Sequence, residues 1–254
     1  MDYFTDEHSI VRKIWGKADT VLFIFAGAAA EFTLSKSVDW LYFTGKLPAD
    51  PIGRLFSTVG YARQIIFSEK QKAFAAIDKM SQIHAVVESS RGMAIPASAY
   101  RHVLFMLIYY SMASFELLER KLTEEEKDEI VEVFCVVGNR MKITGLPIGY
   151  QHWKRMHGRQ LEDDICKSDY STDLFKQYRR SLGNGRYFVL LEVQKQLVPR
   201  RVKALLRLNG ISFLPPILLV YKMCRVLKVD GMLKSLLLPG KYLEQIKELD
   251  YQRK

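Results

Sequence analysis

DPIGRLFSTVGYARQIIF, residues 50–67, reads both as a helix start and as a problem in electrostatics. Asp50 is a good N-cap, and Pro51 suits the first helical position, where a missing N–H costs nothing. Stepping by three and four from Arg54 places Thr58, Tyr61 and Ile65 on one stripe of that helix. If the stripe faces the core, a guanidinium is buried, and an unpaired buried charge costs several kcal/mol, so something anionic has to answer it. The alternative sets Arg54 at the rim of a bundle with its head group in water, and these residues alone favour the rim.

Outward from this segment, helix signals recur and strand signals do not. A short helix is predicted over Ser9–Trp15, and a second over Asp19–Phe43, stopped by TGKLPADP. Downstream, SEKQKAFAAIDKMSQIHAVVESSRG repeats Ala73, Ile77, Met80, His84 and Val87 at three- and four-residue steps. PASAYRHVLFMLIYYSMASFELLERKL follows as a long apolar helix, and TEEEKDEIVEVFCVVGNRMKI opens with Thr123 and Glu126 in capping-box spacing. A further helix carries His152, Trp153, Met156 and His157, and the GNG at 183–185 separates STDLFKQYRRSL from RYFVLLEVQKQLVPRRVKALLRL. The pattern predicts an all-α fold, one large multi-helix domain over 1–185, with 186–254 as a basic, apolar C-terminal extension packing on it or on a membrane surface.

With 48% hydrophobic residues in 254, the chain has ample material for a core. Three cysteines, Cys135, Cys166 and Cys224, with no CxxC spacing, argue against a disulfide framework and a structural zinc site and point to a reducing, cytoplasmic setting. The N-terminus lacks the order of a secretory leader, and no run of eighteen apolar residues occurs. Residues 186–254 hold 14 Lys/Arg against 5 Asp/Glu, which concentrates nearly all of the net +10 there. Interleaved with apolar runs and prolines, and with no recognition motif beside them, these cations suit an anionic membrane surface met peripherally and not nucleic acid; lysines snorkelling at helix edges explain them equally well.

Chemistry-bearing residues are few. No GxSxG elbow, phosphate loop, GxGxxG after a strand or HExxH occurs. His152 and His157 are five apart, off the spacing that would put both on one metal, and His102 is expected to satisfy a local hydrogen bond. His84 differs, because it sits on the apolar stripe of its helix, where an imidazole must find a partner or ligate something. By base rate it is a structural core histidine. Glu31 interrupts FAGAAAEFTL; it is either buried or, as the amphipathic reading favours, turned to solvent.

Arg54-x-x-x-Thr58, then His84-x-x-Val87, then Tyr100 with its long apolar helix, then LTEEEKDEIVEVFCVVGNRMKITGLP, and DEHSIVRKIWG near the start, form an ordered set over roughly residues 6 to 160. This set resembles the MpaB and rubber-oxygenase (latex-clearing protein) catalytic-domain family. The resemblance implies an all-α protein holding haem b between its central helices, with His84 as the axial iron ligand. Arg54 and Thr58 would line the opposite side of that pocket, and Val87 would lie against the cofactor. It also implies oxidative cleavage of a carbon–carbon double bond in a small hydrophobic, alkene or isoprenoid-like substrate by dioxygen. Rubber-cleaving members carry a lysine just before the matching threonine and a glutamate base upstream of the arginine. Here Ser57 precedes Thr58, and Glu31 and Asp39 are the candidate acid–base residues without a clear register. The alternative class is a non-catalytic helical protein that binds lipid or haem at a membrane surface through its basic tail.

Overall fold

Helix starts fall where the sequence supplies capping side chains. Asp50 accepts the Gly53 amide at 3.1 Å ahead of Pro51, and Thr123 and Glu126 close a reciprocal capping box. The computed structural model describes residues 2–45 and 49–226. Among them run eleven helices: α1 (Ile10–Trp15), α2 (Ala18–Phe32), α3 (Asp39–Phe43), α4 (Pro51–Phe67), α5 (Lys70–Arg91), α6 (Ala97–Leu118), α7 (Glu124–Arg140), α8 (Gly149–Asp163), α9 (Asp169–Leu197), α10 (Arg200–Leu206) and α11 (Leu214–Val226). Extended pairing among the described residues is limited to two isolated bridges, Tyr3 with Glu69 and Ser35 with Ile165. The fold is all-α.

The α2–α6 pair forms the centre of the core. Residues of α2 are buried nearly all round the helix, which its lack of polar periodicity allows. A Cβ built on Gly27 would lie 2.2 Å from the Tyr110 ring, so only glycine permits this approach to α6. Trp15, wholly buried at the end of α1, donates its indole N–H to Ser111 of α6 at 3.1 Å and packs its ring against Phe134 of α7.

The single helix expected over Asp19–Phe43 is two. α2 stops at Phe32 because the next residues find partners far along the chain. Thr33 takes the Ser171 hydroxyl on its carbonyl at 2.6 Å, Leu34 accepts the Cys166 amide at 2.7 Å, and the Lys36 amide donates to Asp164 at 2.9 Å. These bonds satisfy the backbone without helix, so the local signal to continue loses.

α5 is a 22-residue helix that buries only Ala73, Ala76 and Ile77, all in its first half, against Ile65, Val137 and Met141. Its second half runs past the α4 and α7 contacts and meets the start of α6 at Tyr100, until Gly92, with φ of 70°, ends it in the left-handed conformation. The space left inside is the cavity described below.

Helix α9 breaks at Gly183 (φ 76°), at the GNG turn expected to separate two helical stretches. Beyond it, Val193, Leu197 and Val202 are buried in the same core, and Gln194 donates to the Ala26 carbonyl of α2 at 2.9 Å. The second half of the basic extension, with MLKSLLLPGKYL, lies outside the described residues. No helix among the described residues is long and apolar enough to cross a membrane. Cys135 is buried and Cys166 exposed, and both are free thiols.

Candidate active site

The stripes read from α4 and α5 meet across a cavity of about 390 Å³. Arg54, Thr58, Tyr61 and Ile65 line it from α4, and Met80, Ile83, His84 and Val87 from α5. Phe25, Ala28 and Phe32 of α2, Ala99, Val103 and Leu107 of α6, and Val133 and Val137 of α7 complete a largely apolar wall. Concave, apolar and holding few polar groups, it has the character of a small-molecule site.

His84 is the only histidine on this wall. Its Nδ1 is enclosed, and it has no hydrogen-bond partner among the described residues. Burial pushes the imidazole below the ordinary histidine range; the Arg54 cation pushes the same way and the Glu88 carboxylate opposes. The ring therefore stays neutral at neutral pH, the form that ligates metal. Tyr100 meets it edge-on with centroids 5.2 Å apart. The Tyr100 hydroxyl in turn donates to Glu88 at 3.2 Å, and the same carboxylate oxygen accepts the Ile95 amide at 2.8 Å, which ties the entry of α6 to the end of α5 beside His84.

Arg54 is half-buried, between the two positions its sequence allowed. Its one side-chain bond among the described residues is a long one, 3.4 Å to Ser57, and no carboxylate among them pairs with it. Thr58 donates its hydroxyl proton to the Arg54 carbonyl at 3.2 Å, which leaves the oxygen as an acceptor toward the cavity. Val87 lies on the α5 wall. Asp39 and Glu31 are not brought to the cavity surface. Asp39 pairs with Arg91 at 2.7 Å, and that guanidinium sits 4.0 Å over the Trp40 ring.

Glu31 overturns the solvent-facing reading: it is 0% exposed. Its carboxylate lies 3.2 Å from His102 Nε2 and accepts the Tyr110 hydroxyl at 3.0 Å, and His102 Nδ1 is 3.2 Å from the Ser35 hydroxyl. Two partners, one on each carboxylate oxygen, make this burial tolerable. His102 thus bonds across the fold, not locally as its sequence suggested. Nearby, His157 stacks on Trp153 and Tyr109, with centroids 5.0 and 5.1 Å apart, and burial pushes its imidazole down to about 4. Sequence reasoning missed this cluster, although His102 and Tyr110 are eight apart and so share one face of α6.

The fold and site together define a helical protein with an apolar ligand cavity, a neutral imidazole on one wall and, on another, a guanidinium that pairs with no carboxylate among the described residues. Residues 13–224 match the family described as ER-bound oxygenase mpaB/B'/Rubber oxygenase, catalytic domain, and the chain belongs to that family. It is an oxygenase catalytic domain by descent. No curated protein and no solved structure is similar enough to match.

Proposed function

We propose that this chain is a haem b-dependent oxygenase that uses dioxygen on a hydrophobic, alkene or isoprenoid-like substrate held in the cavity. One observation carries the reading: on an otherwise apolar α5 wall stands His84, whose buried Nδ1 has no hydrogen-bond partner among the described residues, with the Arg54 cation, paired with no carboxylate among them, close enough to perturb it. These residues fit the group. A flat macrocycle matches apolar walls, its propionates match Arg54, and a single protein imidazole suffices for iron whose other ligands belong to a porphyrin. Haem bound there would supply a redox-active iron for dioxygen chemistry at a carbon–carbon double bond.

The chain's own residues divide the remaining work. His84 would hold the iron, its ring oriented by Tyr100. Arg54 would neutralise a carboxylate or stabilise developing negative charge, and the Thr58 oxygen would accept a hydrogen bond beside it. Val87, Met80 and Ile83 would exclude water from the α5 side. Of the two carboxylates considered for acid–base work, Asp39 is engaged by Arg91, whereas the partners of Glu31 reach the cavity through Ser35.

Expression with haem supply should yield a red-brown protein with a Soret band and stoichiometric iron. His84→Ala should lose the band while keeping its helical circular dichroism. A colourless wild-type protein under haem supply, or an unchanged Soret band in His84→Ala, would overturn the proposal.

A further inference from the structure

Ser35 lines the cavity at the break between α2 and α3, where its backbone bridges Ile165. Its oxygen accepts the Ser37 amide at 3.2 Å, which leaves the hydroxyl proton free to point at His102 Nδ1, 3.2 Å away. A second lone pair then remains for a group in the cavity. Behind it, the opposite imidazole nitrogen faces Glu31 at 3.2 Å, and Tyr110 donates to the other carboxylate oxygen at 3.0 Å. With Glu31 accepting from Tyr110 on one oxygen and facing Nε2 with the other, the arrangement assigns the ring proton to Nε2 and leaves Nδ1 as the acceptor for Ser35. Ser35 is 5% exposed, His102 2% and Glu31 0%. A hydroxyl on an imidazole whose far nitrogen is held by a carboxylate gives up its proton more readily than a free serine does.

We infer that Ser35, His102 and Glu31 form a proton relay opening on the cavity, which takes a proton from a weakly acidic group of the bound molecule and returns it. The proton of the bound acid goes to Ser35 Oγ, and the proton already on Ser35 passes to His102 Nδ1. The imidazolium so formed donates from Nε2 to Glu31, and the conjugate base stays in the cavity. No electrons are exchanged. Ser35 is the member that touches the bound molecule; His102 and Glu31 act through it. The other titratable groups around the relay are Tyr109 and Tyr110 on α6, both pushed up chiefly by burial, and His157 on α8, kept neutral by burial. The relay deepens the proposed function and rests on the same cavity being the binding site.

The test uses the full chain and 4-octyl-2-nitrophenol, a weak acid with an apolar tail whose phenol and phenolate absorb at different wavelengths. Bound to the wild type, the probe should ionise about one pH unit lower than in Ser35→Ala, about tenfold more phenolate at a given pH. Ser35→Thr should restore the shift. With ¹⁵N-histidine labelling, one imidazole should become imidazolium in step with phenolate, and that signal should be missing from His102→Gln. Identical probe titrations in wild type and Ser35→Ala, or an imidazolium signal that persists in His102→Gln, would overturn the relay and leave the haem reading intact. A colourless protein that still shifts the probe would do the reverse. A probe that does not bind the wild type would overturn the relay and leave the haem reading to the Soret band.

Discussion

His157 shows how far burial alone can move a side chain. It is 5% exposed, sandwiched between Trp153 and Tyr109, and titrates near 4, below the ordinary 6.5. Throughout that interval the unfolded chain binds more protons than the folded one. The stability gained by keeping this ring neutral is therefore complete above about pH 6.5 and is lost as pH falls toward 4, by up to about 3 kcal/mol. His84 is lowered too and contributes in the same direction. Urea midpoints measured from pH 7 down to 4 should fall steeply, and in His157→Phe the fall should be visibly shallower. Glu31 belongs to the same scale. Glu31→Ala leaves His102 and Tyr110 without their shared acceptor in a closed interior, and a loss of about 3–5 kcal/mol in urea unfolding is expected. The residues that carry these effects were poorly legible in sequence. A glutamate in FAGAAAEFTL reads as solvent-facing on an amphipathic helix, because the partner that makes its burial possible lies 71 positions away.

At the level of the element, the α2–α6 crossing is set by the missing side chain at Gly27. Gly27→Ala drives a methyl into the Tyr110 ring, and two packed helices must separate or Tyr110 must leave Glu31. Overpacking of this kind costs about 1–3 kcal/mol or more, so a lowered thermal midpoint is expected, along with loss of any activity that depends on the relay. Thr123→Ala, by contrast, removes one cap and should cost only about 1 kcal/mol, with the cavity unaffected. The starts of α4 and α7 were readable because their capping partners lie within one turn. The break between α2 and α3 was not, because it rests on bonds from Leu34 to Cys166 and from Thr33 to Ser171.

Across the whole molecule, the arrangement separates a polar cluster under the α2–α6 crossing from an apolar cavity under α5, with Ser35 at their boundary. The segment leading into α11 and α11 itself expose Ile211, Phe213, Ile217 and Leu219, on the way to the basic residues expected to meet an anionic membrane surface. If that expectation holds, the full chain should co-sediment with phosphatidylserine-containing vesicles at low salt, release as salt rises, and bind less well as the Ile211→Ser, Phe213→Ser double variant. Sedimentation indifferent to both salt and these substitutions would remove the membrane partner from consideration.

By itself, the sequence determined the all-α class, the helix starts and the two stripes, Arg54 to Ile65 and Ala73 to Val87, since periodicity and caps are settled by residues within a turn or two of each other. Only the tertiary structure decided that the α5 stripe packs through Ile77 and Met80 and lines the cavity from Met80 onward, and that Glu31 turns inward to His102. Which helices stand apart, and which polar groups meet, depends on contacts between residues distant in the chain, and local pattern carries no record of those.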